Sequence, residues 1–324
     1  MNFISVRRAL TIIGVILVAL GVWITALRAG WLSDDYATLR QRYGGPPSQF
    51  ITIDGTDLHV RDEGTGPVVV LLHGSIVSLR EWDPVVDRLK SRYRLVRFDW
   101  PPYGLSQPDP RNEYSTARDV ALLQGLVEHL NLAPFTLVAT SNGGNIALEY
   151  AARHPDRVKA LALSVLPIER PSQTRAVDAR IRILDWFHQR FLPDYHSKYW
   201  FRLILEDTTP PGFVPPKTLV DTMHDFNNLP GAAQRQRTYI ASNTKLFKTT
   251  DVGAVASRIT VPVLLQWCER DTVISQNADQ TVARFTRAPV TLVRYPQFGH
   301  FPMWEDPDLF TADLGKFLEK VNPL

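Results

Sequence analysis

A turn between a strand-like run and a helical pattern carries the first candidate for nucleophilic chemistry, Ser141. A serine hydroxyl is a poor nucleophile at neutral pH, so it needs a base, a group that orients the base, and donors for the developing oxyanion. A strand-to-helix turn strains the serine backbone and tolerates only small residues two positions before and after it. Ala139 and Gly143 meet that requirement. We therefore predict Ser141 as the nucleophile; a serine that only caps the helix is the alternative.

Two loops further along the chain carry a matching acid and base. Asp271 follows the seventh predicted strand, and His300 follows the eighth. Ser, Asp, His is one of the chain orders in which a catalytic triad is built, with the residues in loops at the carboxyl ends of strands. We predict His300 as the general base and Asp271 as the residue that orients it. Glu269 and Glu169 are the alternative acids.

Two backbone amides are expected to stabilise the oxyanion. The N–H of Asn142 lies at a predicted helix start, where free donors and the helix dipole favour negative charge. The second donor is expected from Ser75, which follows His73 and Gly74 after the third predicted strand. Gly74 lets the backbone approach the site closely. His73 precedes the nucleophile and is predicted to hold this loop rather than to transfer a proton.

Eight short β-branched runs, separated by helical patterns, must position these residues. The predicted strands cover residues 50–53, 58–62, 68–72, 93–98, 136–140, 160–165, 261–266 and 291–294. This alternation predicts an α/β fold with an eight-stranded, mainly parallel sheet flanked by helices. Residues 167–250 lack strand patterns and carry many aromatic side chains, so we predict a helical cap inserted there.

The N-terminal segment is predicted to be separate from this domain. Residues 9–27 form an uncharged run of 19 residues. As a helix the run would be about 28 Å long, near the thickness of a bilayer core. Arg7 and Arg8 precede it, which favours a cytoplasmic N-terminus. A cleaved signal peptide and a buried soluble helix are the alternatives. The predicted organisation is a cytoplasmic tail at 1–8, one transmembrane signal-anchor helix at 9–28, a linker at 29–49, and a catalytic domain at 50–324. We expect the catalytic domain to be periplasmic or extracellular.

Composition narrows the class of protein. The chain has 324 residues, 44% of them hydrophobic and 21% charged, which is typical of a globular protein. The formal net charge of +3, without a long basic run, argues against nucleic acid as a partner. The single cysteine, Cys268, excludes an internal disulfide. No cofactor or metal is expected, and oligomeric state is left open.

Five segments, in order, resemble the sequence blocks of the α/β-hydrolase family. They cover residues 71–74, 98–106, 139–143, 267–271 and 299–302. The likeness runs from about residue 50 to residue 318 and implies a mobile cap over an apolar site. Ala139, Pro102 and Cys268 stand where the family usually has glycine, but none of these departures removes a catalytic group.

The nucleophile type separates members of this family. Serine at position 141 argues against epoxide hydrolases and haloalkane dehalogenases, which use aspartate there. The favoured reaction is hydrolysis of a carboxylic ester of a small apolar substrate through an acyl-enzyme on Ser141. A hydrolase of carbon–carbon bonds and an amidase or peptidase are alternatives within the fold. A catalytically silent, membrane-anchored binding protein is the non-enzymatic alternative.

Overall fold

A computed structural model of the chain describes residues 3–28, 30–169, 177–249, 251–274 and 277–322. The predicted cap, 167–250, includes residues 170–176 and 250, which lie outside the described residues.

Eight strands form one sheet, as predicted. They are β1 (Ser48–Ile53), β2 (Thr56–Glu63), β3 (Val68–Leu72), β4 (Arg94–Phe98), β5 (Phe135–Thr140), β6 (Val158–Ser164), β7 (Val263–Cys268) and β8 (Val290–Tyr295). Their spatial order is β1-β2-β4-β3-β5-β6-β7-β8.

The sheet is mixed, so the prediction of a mainly parallel sheet is confirmed only in part. β2 pairs antiparallel with both β1 and β4, whereas the pairings from β4 through β3, β5, β6 and β7 to β8 are parallel. The reason is the connection between β1 and β2. Asp54 and Gly55 form a two-residue turn with φ angles of 49° and 82°, and a turn this short joins strands only as an antiparallel hairpin.

Helices cover both faces of the sheet. The described helices are α1 (Phe3–Arg28), α2 (Tyr36–Tyr43), α3 (Asp83–Leu89), α4 (Thr116–His129), α5 (Asn142–Arg153), α6 (Ala179–Phe191), α7 (Lys198–Thr208), α8 (Lys217–Asn227), α9 (Ala232–Thr249), α10 (Val252–Ala256), α11 (Ala278–Arg284), α12 (Pro302–Glu305) and α13 (Pro307–Val321), with a 3₁₀ turn at Leu79–Trp82. Along β3, Val70 and Leu72 pack in the core cluster that includes α4 and α5, and Val69 and Leu71 in the one that includes α3 and α13. Alternation along an extended strand sends neighbouring side chains to opposite faces, which explains the uninterrupted apolar run.

The region between β6 and β7 contains helices α6 to α9, which we call the cap. The cap also contacts the segment that precedes the sheet. Leu39 of α2 is fully buried in a cluster with Phe226 of α8. Asp225 accepts hydrogen bonds from Arg42 (2.8 Å) and from the Tyr43 hydroxyl (2.7 Å). Part of the predicted linker, residues 29–49, therefore packs against the cap.

The structure does not support the transmembrane helix that we predicted at residues 9–28. Residues 3–28 form α1, with exposed side chains that include Leu10 and Trp23. Within the described part of the chain, however, no helix has both the length and the apolar character that crossing a membrane requires. The side chains of residues 9, 27 and 28, at the two ends of the predicted span, lie outside those described.

Candidate active site

Ser141 lies in a sharp turn between β5 and α5. Its backbone has φ 49° and ψ −131°, a conformation that is strained for a residue with a side chain. The Ser141 N–H donates to the carbonyl oxygen of Ser164 at 3.1 Å, which ties the turn to β6. The Ser141 side chain makes no capping hydrogen bond to the helix. The Ser141 hydroxyl therefore does not cap the helix, which was the alternative considered from the sequence.

Gly143 is required by the close packing of this turn. A Cβ atom at Gly143 would lie 2.4 Å from the carbonyl oxygen of His73 and 2.8 Å from that of Leu72. These are backbone atoms, so a larger residue would displace either α5 or the loop after β3. Ala139, at the position of the other small residue, is fully buried in β5 without such a conflict. Of the two small residues around the serine, the one at position 143 must therefore be glycine.

His300, in the loop after β8, is hydrogen-bonded to Asp271, in the loop after β7. The Nδ1 atom of His300 lies 2.8 Å from Oδ2 of Asp271, and both side chains are largely buried. The other carboxylate oxygen of Asp271 accepts the backbone N–H groups of Val273 (2.7 Å) and Ile274 (3.2 Å). With Nδ1 bound to Asp271, Nε2 is the ring nitrogen left to accept a proton from a nucleophile.

Electrostatics favour the ionised acid beside a basic imidazole. Burial opposes ionisation of Asp271, but the charge and hydrogen bond of His300 and the two backbone donors lower the pKa of Asp271 below its usual value. Burial likewise opposes protonation of His300. The Asp271 carboxylate, with smaller contributions from Glu81 and Glu305, nevertheless raises the pKa of His300 above its usual value. Such a pair can take up a proton from a nucleophilic hydroxyl and later donate it to a leaving group.

The two residues predicted to supply oxyanion donors are joined by a hydrogen bond. The Asn142 side chain donates through Nδ2 to Oγ of Ser75 at 2.8 Å. Asn142 is the first residue of α5. Gly74 lies against the nucleophile, because a Cβ atom on it would be 3.2 Å from Cβ of Ser141 and 3.8 Å from its Oγ. The loop after β3 and the start of α5 thus flank the Ser141 hydroxyl.

The alternative acids lie in other ion pairs. Glu269 pairs with Arg294 at 2.7 Å, and Glu169 pairs with Arg284 at 3.0 Å. Both carboxylates are partly exposed, and the carboxylate that accepts a hydrogen bond from His300 is that of Asp271. Of the three acids considered from the sequence, the structure brings Asp271 to the histidine.

Comparison with known proteins supports the fold assignment. The family model for the alpha/beta hydrolase fold matches residues 67–198, which include the loop after β3 and the Ser141 turn. The chain has the fold of the α/β-hydrolases. The resemblance inferred from the five sequence blocks is thereby confirmed.

Three similar proteins illustrate the range of this family. A pimeloyl-(acyl-carrier protein) methyl ester esterase of Vibrio vulnificus (strain CMCP6) is 24% identical, over 82% of this chain and 99% of its own length. The 2-hydroxy-6-oxononadienedioate/2-hydroxy-6-oxononatrienedioate hydrolase 1 of Dechloromonas aromatica (strain RCB) is 25% identical, over 84% of this chain and 95% of its own. A crystal structure of a membrane phospholipase A has a TM-score of 0.68 at 22% identity and covers 98% of this chain and 99% of that chain. The structural likeness shows the fold, and the named relatives support a hydrolase.

His73 has a structural role in this α/β-hydrolase. It is fully buried, and burial lowers its pKa to about 4. Its Nδ1–H donates to the carbonyl of Gly74 at 2.6 Å, and its Nε2 accepts the backbone N–H of Trp100 at 3.2 Å. The His73 ring also stacks on the Trp100 ring, with centroids 5.0 Å apart. A neutral imidazole with both nitrogens occupied holds the loop and has no free site for proton transfer.

Two glutamates at the site, one buried and one partly buried, were missed from the sequence. Glu81, in the 3₁₀ turn, is 2% exposed and accepts the N–H of Gly74 at 2.7 Å. Burial raises the pKa of Glu81 to about 7. Glu305, in α12, accepts the N–H groups of Gly299 (2.7 Å) and Phe301 (2.9 Å), the residues on either side of the catalytic histidine candidate. A lone glutamate in a polar segment carries no sequence signal of burial, so only the folded chain reveals these contacts.

The cap of this α/β-hydrolase is hydrogen-bonded to the loop after β8, which carries His300, and to the loop after β3, which carries Ser75. We call these two the catalytic loops. The backbone N–H of His300 donates to the carbonyl of Thr208, at the end of α7, at 2.8 Å. Asn227, at the end of α8, donates to the carbonyl of Ile76 at 2.7 Å. Ile76 has φ 60°, a strained value for a β-branched residue, and lies next to Ser75. The cap therefore helps to position the residues on both sides of Ser141.

Apolar side chains surround these cap contacts. A buried cluster joins the cap to the two catalytic loops, and its members are Val77, Phe201, Leu205, Leu219, Val220, Met223 and Phe301. The aromatic residues predicted to shape the site divide into two groups. Phe201 is 1% exposed within this cluster, whereas Trp186 and Tyr199 are 64% and 51% exposed. Only part of the aromatic content of the cap faces the catalytic loops.

Proposed function

We propose that this α/β-hydrolase hydrolyses carboxylic esters of small apolar substrates through an acyl-enzyme on Ser141. The observation that carries the proposal is the position of three elements at the carboxyl ends of parallel strands. The strained Ser141 turn follows β5, and the hydrogen-bonded Asp271–His300 pair comes from the loops after β7 and β8. The esterase among the relatives supports the reaction class.

Each of these residues has a role in the proposed reaction. Nε2 of His300 removes the proton as Oγ of Ser141 attacks the ester carbonyl, and Asp271 stabilises the imidazolium that forms. The backbone N–H groups of Asn142 and Ser75 stabilise the oxyanion of the tetrahedral intermediate. His300 then protonates the departing alcohol. A water molecule, deprotonated by His300, attacks the acyl-enzyme, and collapse of the second intermediate releases the acid and restores Ser141.

Apolar contacts support a substrate with an apolar acyl or aryl part. Phe301 follows the base directly and packs in the buried cluster that includes Phe201 and Met223 of the cap. Substrate sites are lined mainly by such side chains, with a few polar groups that fix orientation.

The serine mechanism is tested with a fluorophosphonate probe and short p-nitrophenyl esters. We expect the full chain to be labelled and to turn over the esters, and Ser141→Ala to lose both activities while keeping its fold. Ser257→Ala is the matched control, because its exposed hydroxyl donates only to the carbonyl of Ala254. Absence of labelling and turnover in the folded wild-type chain would favour the silent binding protein. Equal turnover in Ser141→Ala would place the nucleophile elsewhere.

Hydrolysis of a carbon–carbon bond is the second candidate. It is favoured by the Dechloromonas aromatica relative, whose name describes a hydrolase of hydroxy-oxo-dioate compounds. A panel of esters, amides and vinylogous diketones, compared by kcat/KM, separates the two candidates and also tests amidase activity. We expect the esters to have the highest kcat/KM.

We also propose that the hydrolase domain works outside the cytoplasm, in the periplasm or at the cell surface. The support is the sequence, in which an uncharged run follows Arg7 and Arg8. Protease added to cells, after opening of any outer membrane, should digest the domain without lysis. Digestion only after lysis of the inner membrane would contradict this location.

A further inference from the structure

A cluster of two histidines and one aspartate lies in the cap, apart from Ser141. Asp185 and His188 lie three residues apart on α6, a spacing that places both on one helix face. His196 comes from the connection between α6 and α7. One ligating atom from each of the three side chains lies within 4.8 Å of the others.

One ring nitrogen in this cluster is buried and has no partner. His188 is 3% exposed, and its Nδ1 atom accepts or donates no hydrogen bond within the described residues. Its ring meets the ring of His196 with centroids 4.7 Å apart and planes at 71°. A buried polar atom without a partner is unfavourable, so each such atom needs a physical explanation. A cation coordinated by Nδ1 would supply the missing partner.

Neighbouring residues hold the Asp185 side chain and the His196 backbone in place. Nε1–H of Trp200 donates to Oδ1 of Asp185 at 2.6 Å, which leaves Oδ2 for a further interaction. The backbone of His196 is fixed on both sides by the Asn228 amide, which accepts its N–H at 2.8 Å and donates to its carbonyl at 2.8 Å. Hydrogen bonds that orient the ligands in this way are a regular feature of metal sites.

Charge around the cluster does not oppose a cation strongly. Arg237, a nearby cation, is bound to the Asp194 carboxylate at 3.0 Å and to the carbonyl of Pro193 at 3.2 Å. The Asp185 carboxylate supplies a negative charge inside the cluster itself.

We propose that Asp185, His188 and His196 bind a divalent transition-metal ion with the coordination chemistry of Zn²⁺, and that this ion joins α6 to the connection before α7. Imidazole and carboxylate ligands suit Zn²⁺, whereas Mg²⁺ and Ca²⁺ prefer oxygen alone. Zn²⁺ bonds of about 2.1 Å place tetrahedral ligand atoms about 3.4 Å apart, so side-chain movements of about 1 Å close the site. A water molecule would complete the coordination. This inference differs from our sequence-based expectation of no metal, and it does not depend on the proposed reaction at Ser141.

Binding is tested on the full chain, stripped with a chelator and titrated with Zn²⁺ against a chromogenic competitor. We expect one Zn²⁺ per chain, with affinity lowered roughly 100-fold or more in Asp185→Asn and in His196→Ala. His129→Ala is the control, because His129 is an exposed histidine on α4, outside the cluster. It should bind Zn²⁺ as the wild type does.

Two further measurements separate a specific site from surface binding. Zn²⁺ should raise the unfolding temperature of the wild type and His129→Ala, but not of the two cluster variants, because only binding to the folded state stabilises it. Co²⁺ in place of Zn²⁺ should give a visible absorption band that His196→Ala loses. Circular dichroism without metal checks that both cluster variants keep the wild-type fold.

Three results would each overturn the proposal. The first is that the wild type does not bind Zn²⁺ stoichiometrically. The second is that both cluster variants bind Zn²⁺ as tightly as the wild type, and the third is that Mg²⁺ stabilises the wild type as much as Zn²⁺ does. The first is independent of whether any variant folds.

Discussion

Replacing Glu81 by glutamine should stabilise the protein, and increasingly so as the pH rises. Glu81 is almost fully buried beside Gly74, and burial raises its pKa from 4.5 to about 7. Glutamine has nearly the same shape, and its carbonyl oxygen can still accept the Gly74 N–H. The substitution therefore removes the buried charge while it keeps the contact that holds the loop after β3.

The size of the effect follows from the difference between the two pKa values. Between pH 4.5 and about 7, the unfolded chain loses the Glu81 proton while the folded chain retains it, so stability falls as the pH rises. Each unit of difference in pKa corresponds to about 1.4 kcal/mol, so the ionised carboxylate destabilises the folded state by about 3 kcal/mol above pH 7. Below the unfolded value this cost is absent, because the carboxyl is neutral in both states.

Urea unfolding of the wild type and Glu81→Gln at pH 5, 6, 7 and 8 measures this cost. The difference in unfolding free energy should grow in favour of the variant by about 2.5 kcal/mol from pH 5 to pH 8, because a small part of the cost is already present at pH 5. Any pH-independent effect of the amide drops out, because only the change with pH is compared. Glu113→Gln, at an exposed position, is the control and should give a nearly constant difference. A constant difference for Glu81→Gln, or one that shrinks with rising pH, would refute the reasoning.

The same variant should change the pH dependence of activity. The negative charge on Glu81 contributes to the raised pKa of His300, and His300 must be neutral to act as a base. Loss of that charge lowers the pKa of His300, so the acid limb of the kcat/KM profile should move to lower pH. An acid limb that moves to higher pH would contradict the proposed electrostatic contact.

Three further substitutions test the site. Asp271→Asn should lower kcat by about 10⁴ while the fold is kept, measured with p-nitrophenyl esters; an unchanged kcat would remove Asp271 from the mechanism. Gly143→Ala places a Cβ atom 2.4 Å from the carbonyl oxygen of His73, so the free energy of unfolding should fall by about 2 kcal/mol or more in urea titrations; wild-type stability would argue against the close turn. Asn227→Ala removes the donor to the Ile76 carbonyl and should lower kcat/KM about tenfold; wild-type kinetics would show that the cap does not position this loop.

Local patterns in the sequence predicted the sheet and the chemistry at its edge. β-branched runs marked all eight strands, and the residues around Ser141 marked the turn, because both depend on neighbours within a few positions. Asp271 was predicted mainly from its position after a strand, and the structure places its carboxylate on His300. The antiparallel pairing of β2 escaped this reasoning, although Asp54 and Gly55 form a two-residue turn typical of hairpins.

In the N-terminal segment, a local sequence pattern predicted a feature that the structure does not support. A run of apolar residues predicted a membrane span at 9–28, and within the described residues no helix of the structure meets the requirements of one. Likewise, the aromatic residues between β6 and β7 predicted a cap but not which rings face the site. Trp186 and Phe201 belong to the same residue class in the sequence, yet one is 64% exposed and the other 1%.

The amino-acid sequence by itself determined the α/β architecture, the nucleophile turn and the identities of the acid and base candidates, because these depend on residue type and on order along the chain. Only the tertiary structure decided the environment of those groups. Glu81 becomes a buried carboxyl with a raised pKa because distant segments exclude water from it, and Asp185, His188 and His196 become a candidate metal site because a connection folds back onto α6. Burial and charge proximity depend on residues that are remote in sequence, so no local pattern announces them.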